Sequence, residues 1–114
     1  LVLKVDEEYR AKARGDKLPK ITPRRFNPEN KAWLPILHAT YDHWHFTALY
    51  SNTARAHSLN RVHDWVVIYF YDDHHREGQH TVVTETHGKS RGKRVVRGRE
   101  PECLQFYDGA LAGR

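Results

Sequence analysis

The residue types in this chain best suited to chemistry are its nine histidines, its scattered carboxylates and its one cysteine, Cys103. Histidine gives up and takes a proton near neutral pH, so His45, His57 and His63 with Asp64 make a candidate phosphodiesterase or nuclease set, with or without a metal. A second polar run, Asp72-Asp73-His74-His75-Arg76-Glu77-Gly78, places paired carboxylates beside histidines, as metal-assisted hydrolysis of a phosphodiester requires. Its unbroken polarity and its glycine suit an exposed hairpin turn better. His38, His43 and His45 lie close enough in sequence to meet across a hairpin, but the spacing is not that of an HExxH helix, and one cysteine cannot build a structural zinc site. No metal and no cofactor are therefore expected. Cys103, beside Leu104 and Phe106, reads as a packing residue and not as a nucleophile.

The cations carry a stronger signal. The chain has a formal net charge of +5, and it is unevenly spread: residues 1–31 hold nine Lys/Arg against five Asp/Glu, 76–100 hold seven against three, and 32–75 hold two against four. Two basic flanks around a less charged centre suit a polyanion, because clustered cations release its condensed counterions, although a solvated basic surface has the same composition. Residues 16–31 are punctuated by Pro19, Pro23 and Pro28, and they are expected to run as an extended arm presenting Arg24 and Arg25. Ser51, Asn52 and Thr53 are helix-capping types that would leave free amides and hydroxyls beside Arg55 and His57, a candidate anion site. Residues 89–99 contain six cations, including Lys93, Arg94, Arg97 and Arg99, and form one side of a basic hairpin. Edge protection of a sheet would also favour lysine and arginine there, though fewer would suffice. Trp44, Tyr50 and Phe26 are the aromatics placed to stack on an exposed base.

The elements that must position these residues follow from periodicity. Val5 to Arg14 has helical spacing, with Asp6 as cap and Gly15 as stop. Trp33 to Thr40 and Trp44 to Tyr50 alternate as a hairpin, Pro35 suggesting an edge strand. A short helix over Ala54 to Leu59 ends at Asn60, and Asp64 to Tyr71 is apolar enough for a central strand buried on both faces. Gln79 to His87 and Lys93 to Arg97 form the basic hairpin, and Glu100-Pro101 opens a last helix through Tyr107. The expected fold is α+β: an antiparallel sheet of about five strands with three short helices packed on it. One domain over residues 1–114 accounts for the length, divided into an N-terminal helix (1–15), the basic arm (16–31) and a sheet-and-helix core (32–109). The absence of methionine and the start at Leu1 give the expectation of a piece excised from a longer protein. One cysteine, no signal sequence and no apolar run of about 18 residues point to the cytoplasm and away from membranes.

Three segments, LPKITPRRFNPENKAWLPILH, WHFTALYSNTARAHSLNRVHDWVVIYFY and TVVTETHGKSRGKRVVRGRE, occur in that order. Together they resemble a bacterial domain found at the carboxyl end of helix-hairpin-helix DNA-binding proteins, whose amino-terminal parts are similar to the DNA-gripping region of family X DNA polymerases. The resemblance runs from Val5 to Tyr107 and is most specific in PRRFNP, HFTAL, SNTARAH, DWVVIYF and KRVVRGRE. It implies a DNA-associated protein of maintenance or repair, with this chain as its carboxyl-terminal module and a helix-hairpin-helix region as its partner in the same polypeptide. It implies no reaction. The leading expectation is a nucleic-acid-binding module, most readily for DNA, that contacts phosphates with low sequence specificity. The phosphodiesterase set above and a protein-interaction domain facing an acidic partner are the alternatives.

Overall fold

Six antiparallel strands follow one another in chain order, so that each pairs with the next and the sheet is a simple meander. The computed structural model describes residues 1–99; the expected last helix, with Cys103, lies outside them. Helix α1 spans Val2–Arg14 and strand β1 Lys20–Ile21, followed by β2 Leu34–Tyr41 and β3 Trp44–Tyr50. The short helix α2 covers Ala54–Ser58, then come β4 Val66–Asp72, β5 Glu77–Thr84, a single 3-10 turn at Gly88–Ser90, and β6 Arg94–Val96. The α+β class and antiparallel sheet are as expected. The described residues differ in detail, with six strands and two α-helices. The additional strand comes from the arm: Lys20 pairs with Pro35 and Ile21 with Leu34. Pro35 thus lies on an interior strand, tolerated because β1 is only two residues long and makes few demands on β2's amides.

Helix α1 begins before Val5, and Leu1 caps it without a side-chain bond. Asp6 is no cap. It is fully buried inside the helix, on the same side as Val5 and Tyr9. Asp16, with φ of 54°, takes the left-handed position that ends the helix, while Gly15 keeps a φ of −85°. The Lys17 amide then reaches back to the Lys12 carbonyl at 2.9 Å, a Schellman closure. Asn60 is left-handed too, at 56°, and stops the chain after α2 as its sequence suggested.

Strand register sorts the side chains onto two faces. Leu37, Ala48 and Ile68 align across β2 to β4, as do Phe46 with Phe70, and Tyr50 with Val66, Val82 and Val96. This inner face receives Val5 and Tyr9 from α1 and contains most of the core. The outer face carries two rungs of four residues, His38-Thr47-Tyr69-Gln79 and Thr40-His45-Tyr71-Glu77. Strand β4 is therefore not buried on both faces: Tyr69 and Tyr71 are 47% and 54% exposed. Tyrosine looks apolar in a hydrophobic run, yet its hydroxyl lets the ring face water.

Two polar groups are buried under α1. The Tyr9 hydroxyl donates to the Pro35 carbonyl at 2.7 Å and accepts from the Tyr50 amide at 3.0 Å, tying the helix to β2 and β3. Arg94 grips both carboxylate oxygens of Asp6, at 2.9 and 3.2 Å, and also reaches Asp64 at 3.0 Å, Thr84 Oγ1 at 3.1 Å and the Val82 carbonyl at 3.3 Å. Its side chain is 11% exposed. Gly78 has a packing role within β5, since a Cβ there would lie 2.7 Å from the Phe70 ring that covers it.

Removal of either buried group should be measurable by urea denaturation. Arg94→Ala leaves buried Asp6 with only the partly exposed Arg10 as its partner and should lower stability by about 3 kcal/mol. Tyr9→Phe should lower it by about 1–3 kcal/mol near pH 7, because the Tyr50 amide and Pro35 carbonyl lose their partner. Burial pushes the Tyr9 phenol above its ordinary range. Its contribution is thus fully present below about pH 10, where unfolded tyrosine ionises, and declines as pH rises toward the folded value. The alkaline fall in stability should be shallower in Tyr9→Phe than in the parent.

Candidate functional site

A cleft of about 560 Å³ opens where the carboxyl end of α1 meets β1 and the loop between α2 and β4. Arg10 and Arg14, one helical turn apart, line one wall, and Lys20 of β1, paired with Asp16 at 2.7 Å, lines another. Trp33, Tyr50 and His63 supply its rings. His63 meets Tyr50 edge-on at 5.1 Å and Trp33 at 6.4 Å. Below them Asp64 accepts from the Thr84 amide at 3.1 Å and its hydroxyl at 2.7 Å, completing the network around Arg94. Burial raises the Tyr50 phenol above its usual range, against the pull of the Arg14, Arg10 and Arg94 cations. That ring stays neutral beneath a positive rim. The chemistry on offer is anion binding beside aromatic surface.

The arm extends this basic surface. Arg24 and Arg25 are exposed on it. Asn52 Nδ2 donates to the Arg25 carbonyl at 3.0 Å, and Phe26 packs on the His57 ring at 4.5 Å. His57 Nε2 lies 2.6 Å from Asn52 Oδ1. Thr53 is the cap of α2, its hydroxyl accepting from the Ala56 amide at 3.1 Å and lying 3.3 Å from Ser51 Oγ. Ser51 is buried, and its amide donates to the Trp65 carbonyl at 2.8 Å. The Ser51-Asn52-Thr53 group, expected as an anion cradle, thus caps a five-residue helix and fastens the arm. Arg55 is exposed on that helix.

The positive edge expected on the hairpin is divided. Arg94 points inward and works as an internal crosslink, whereas Arg97 lies outside, its guanidinium 3.6 Å from Glu85. Lys93 is half-buried and Arg99 exposed. Arg99 sits near His80, whose imidazole is pulled below its ordinary range, first by burial and then by that cation. β1 and β6 are opposite edges in the strand order, yet Lys20 of β1 and Arg94 of β6 line the same cleft.

The four residues of the phosphodiesterase set are not assembled. His63 and Asp64 share the cleft, but His45 is on the outer face beside Tyr71 and Thr40, and His57 is on α2 against Phe26. Both Asp64 oxygens are engaged by Thr84, one of them also by Arg94. Among the described residues, no three His, Cys, Asp or Glu side chains are grouped to hold a metal ion. In the turn after β4, buried Asp72 accepts from the His74 and Arg76 amides and from Arg76 Nε at 2.7 Å. Burial opposes its charge, but those bonds prevail and lower its pKa. It is the organiser of a hairpin loop, as its sequence suggested.

Of the three aromatics expected to stack on a base, Tyr50 is buried and Trp44 is packed between Phe70 and the Arg76 guanidinium. Phe26 remains 44% exposed. The cleft residues Arg10, Arg14 and Trp33 had only a weak sequence signal, two arginines at helical spacing and a tryptophan ahead of a strand. No helix among the described residues is long and apolar enough to cross a membrane. No protein-family model matches the chain, and neither the curated proteins nor the solved structures give a match.

Proposed function

We propose that this domain is a nucleic-acid-binding module that holds the phosphates of DNA with low sequence specificity. The observation that carries the proposal is the basic rim of the cleft, Arg10, Arg14 and Lys20, with exposed Arg24 and Arg25 on the adjoining arm. Guanidinium forks suit phosphate oxygens, and long side chains on a fixed scaffold set the position of a backbone without reading its bases. The resemblance to a domain of helix-hairpin-helix proteins supports DNA as the polyanion and maintenance or repair as the setting. In that setting the helix-hairpin-helix region would grip the same DNA, and two weak grips on one tether give a tight one.

Fluorescence anisotropy with labelled DNA at several salt concentrations tests this. Replacing Arg14, Lys20, Arg24 and Arg25 together by alanine leaves the Asp6–Arg10 and Asp6–Arg94 pairs intact. The variant should weaken binding to unrelated sequences alike and flatten the log–log salt slope by up to about 3.6, at 0.7–0.9 per lost phosphate contact. An unchanged slope in a variant with the parental urea midpoint would sink the proposal, as would no binding by the parent at low salt. Arg97→Ala with Arg99→Ala measures the hairpin edge separately. Arg94 is left in place because its loss would be read as unfolding.

A further inference from the structure

The outer face of the sheet carries a second aromatic surface. Tyr69 and Tyr71 of β4 are about half exposed, although they sit in the middle of the meander. Side chains at such positions are usually covered or polar, and adjacent exposed rings on one strand face mark a binding surface. The His45 ring lies on Tyr71 at 4.7 Å with 22° between the planes, which fixes the tyrosine's orientation. His45 is itself held by Thr40 at 3.3 Å, and in the next rung His38 bonds Thr47 at 3.1 Å. A hollow of about 440 Å³ lies over these rungs, lined by Thr47, Tyr69, Tyr71, Glu77 and Gln79.

We infer that this face is a stacking platform for the unpaired bases of a single-stranded nucleic acid, an inference that rests on the nucleic-acid reading above. Ring faces bind bases of any sequence, and Thr47 and Gln79 add hydrogen-bonding groups at their edges. The charge distribution selects this occupant over a duplex. Glu77 lines the hollow and Asp73 lies 3.5 Å from His45, so phosphates are repelled from the hairpin end of the face. Arg97 stands toward the other end: its amide bonds the Thr81 carbonyl, and alternation from Val95 puts it on the outer side. Bases therefore lie over the tyrosines and the backbone passes on the β6 side. A duplex, with its bases inside and phosphates outside, presents the wrong group to this face.

The test compares oligothymidylate with an abasic oligonucleotide of the same length, which keeps the phosphates and lacks the bases. The full chain should bind the thymidylate about tenfold or more tightly. Tyr69→Val with Tyr71→Val keeps strand propensity and removes the ring faces, so it should erase that difference while leaving abasic binding and the salt slope unchanged. Tyr69→Phe with Tyr71→Phe keeps the rings and should retain it, which separates stacking from a general loss of structure. Equal parental affinity for the two oligonucleotides, or a difference that survives in the valine variant, would overturn the platform while leaving the phosphate-binding proposal standing. Failure of the parent to bind either at low salt would overturn both.

Discussion

One guanidinium holds the domain's layers together. Arg94 comes from a three-residue strand at the sheet's edge, yet it joins α1 through Asp6, the entry to β4 through Asp64, and β5 through Thr84 and Val82. Each of these charges would be costly to bury alone, and the geometry makes each the solvation of the others. Arg10 closes the outer side by bonding Asp6 at 3.0 Å. The network fixes the helix along its length, which apolar packing of Val5 and Tyr9 would not do as specifically. It also holds α1 against the sheet, and so positions Arg10 and Arg14 opposite Lys20 across the cleft.

The two faces of the sheet are made differently because they meet different surroundings. The inner face is apolar at the centre, and its polar groups are paired: Tyr9 with Pro35 and Tyr50, Asp6 with Arg94. The outer face around Tyr69 and Tyr71 is built from phenol, imidazole, hydroxyl and amide groups, which pack as rings or aliphatics yet remain solvated at their tips. Its order comes from lateral contacts between neighbouring strands, His45 on Tyr71 and His38 on Thr47. Such a surface can present rings to a ligand without becoming an aggregation site.

Much of this was legible in the sequence, and the failures have physical causes. Alternation located β2 and β3, the Asp72–Gly78 composition located the hairpin turn, and Asn60 stopped α2 where expected. Asp6 reads locally as a cap because an acidic residue near a helix start usually is one, whereas its burial depends on Arg10 one turn on and on the distant Arg94, 88 positions away. Arg94 was misjudged for the reciprocal reason: within a run of cations nothing local distinguishes the one that turns inward. Gly78 suited a loop, but its requirement is the Phe70 ring on the neighbouring strand. The cleft draws on α1, β1, β2, β3, the α2–β4 loop, β5 and β6, so no window of sequence contains it. Local signals were read correctly where the cause was local.

The arm is more ordered than its composition suggests. Pro19, Pro23 and Pro28 limit its backbone, and Asn27 then acts as a hub: its amide donates to the Pro23 carbonyl at 2.9 Å and the Lys31 carbonyl at 2.8 Å, while its oxygen accepts from the Lys31 amide at 3.0 Å. Phe26 and Asn30 adopt positive φ, 52° and 54°, to make the turn close. Asn52 and His57 anchor the loop to α2 from the other side. The conformational entropy of Arg24 and Arg25's backbone is therefore surrendered on folding, and the phosphate docking proposed above would restrict only their side chains. That is the physical sense of placing asparagine between two prolines beside paired arginines. The same ties that occupy the Asn52 and Thr53 side chains hold the backbone beside the neighbouring arginines in place.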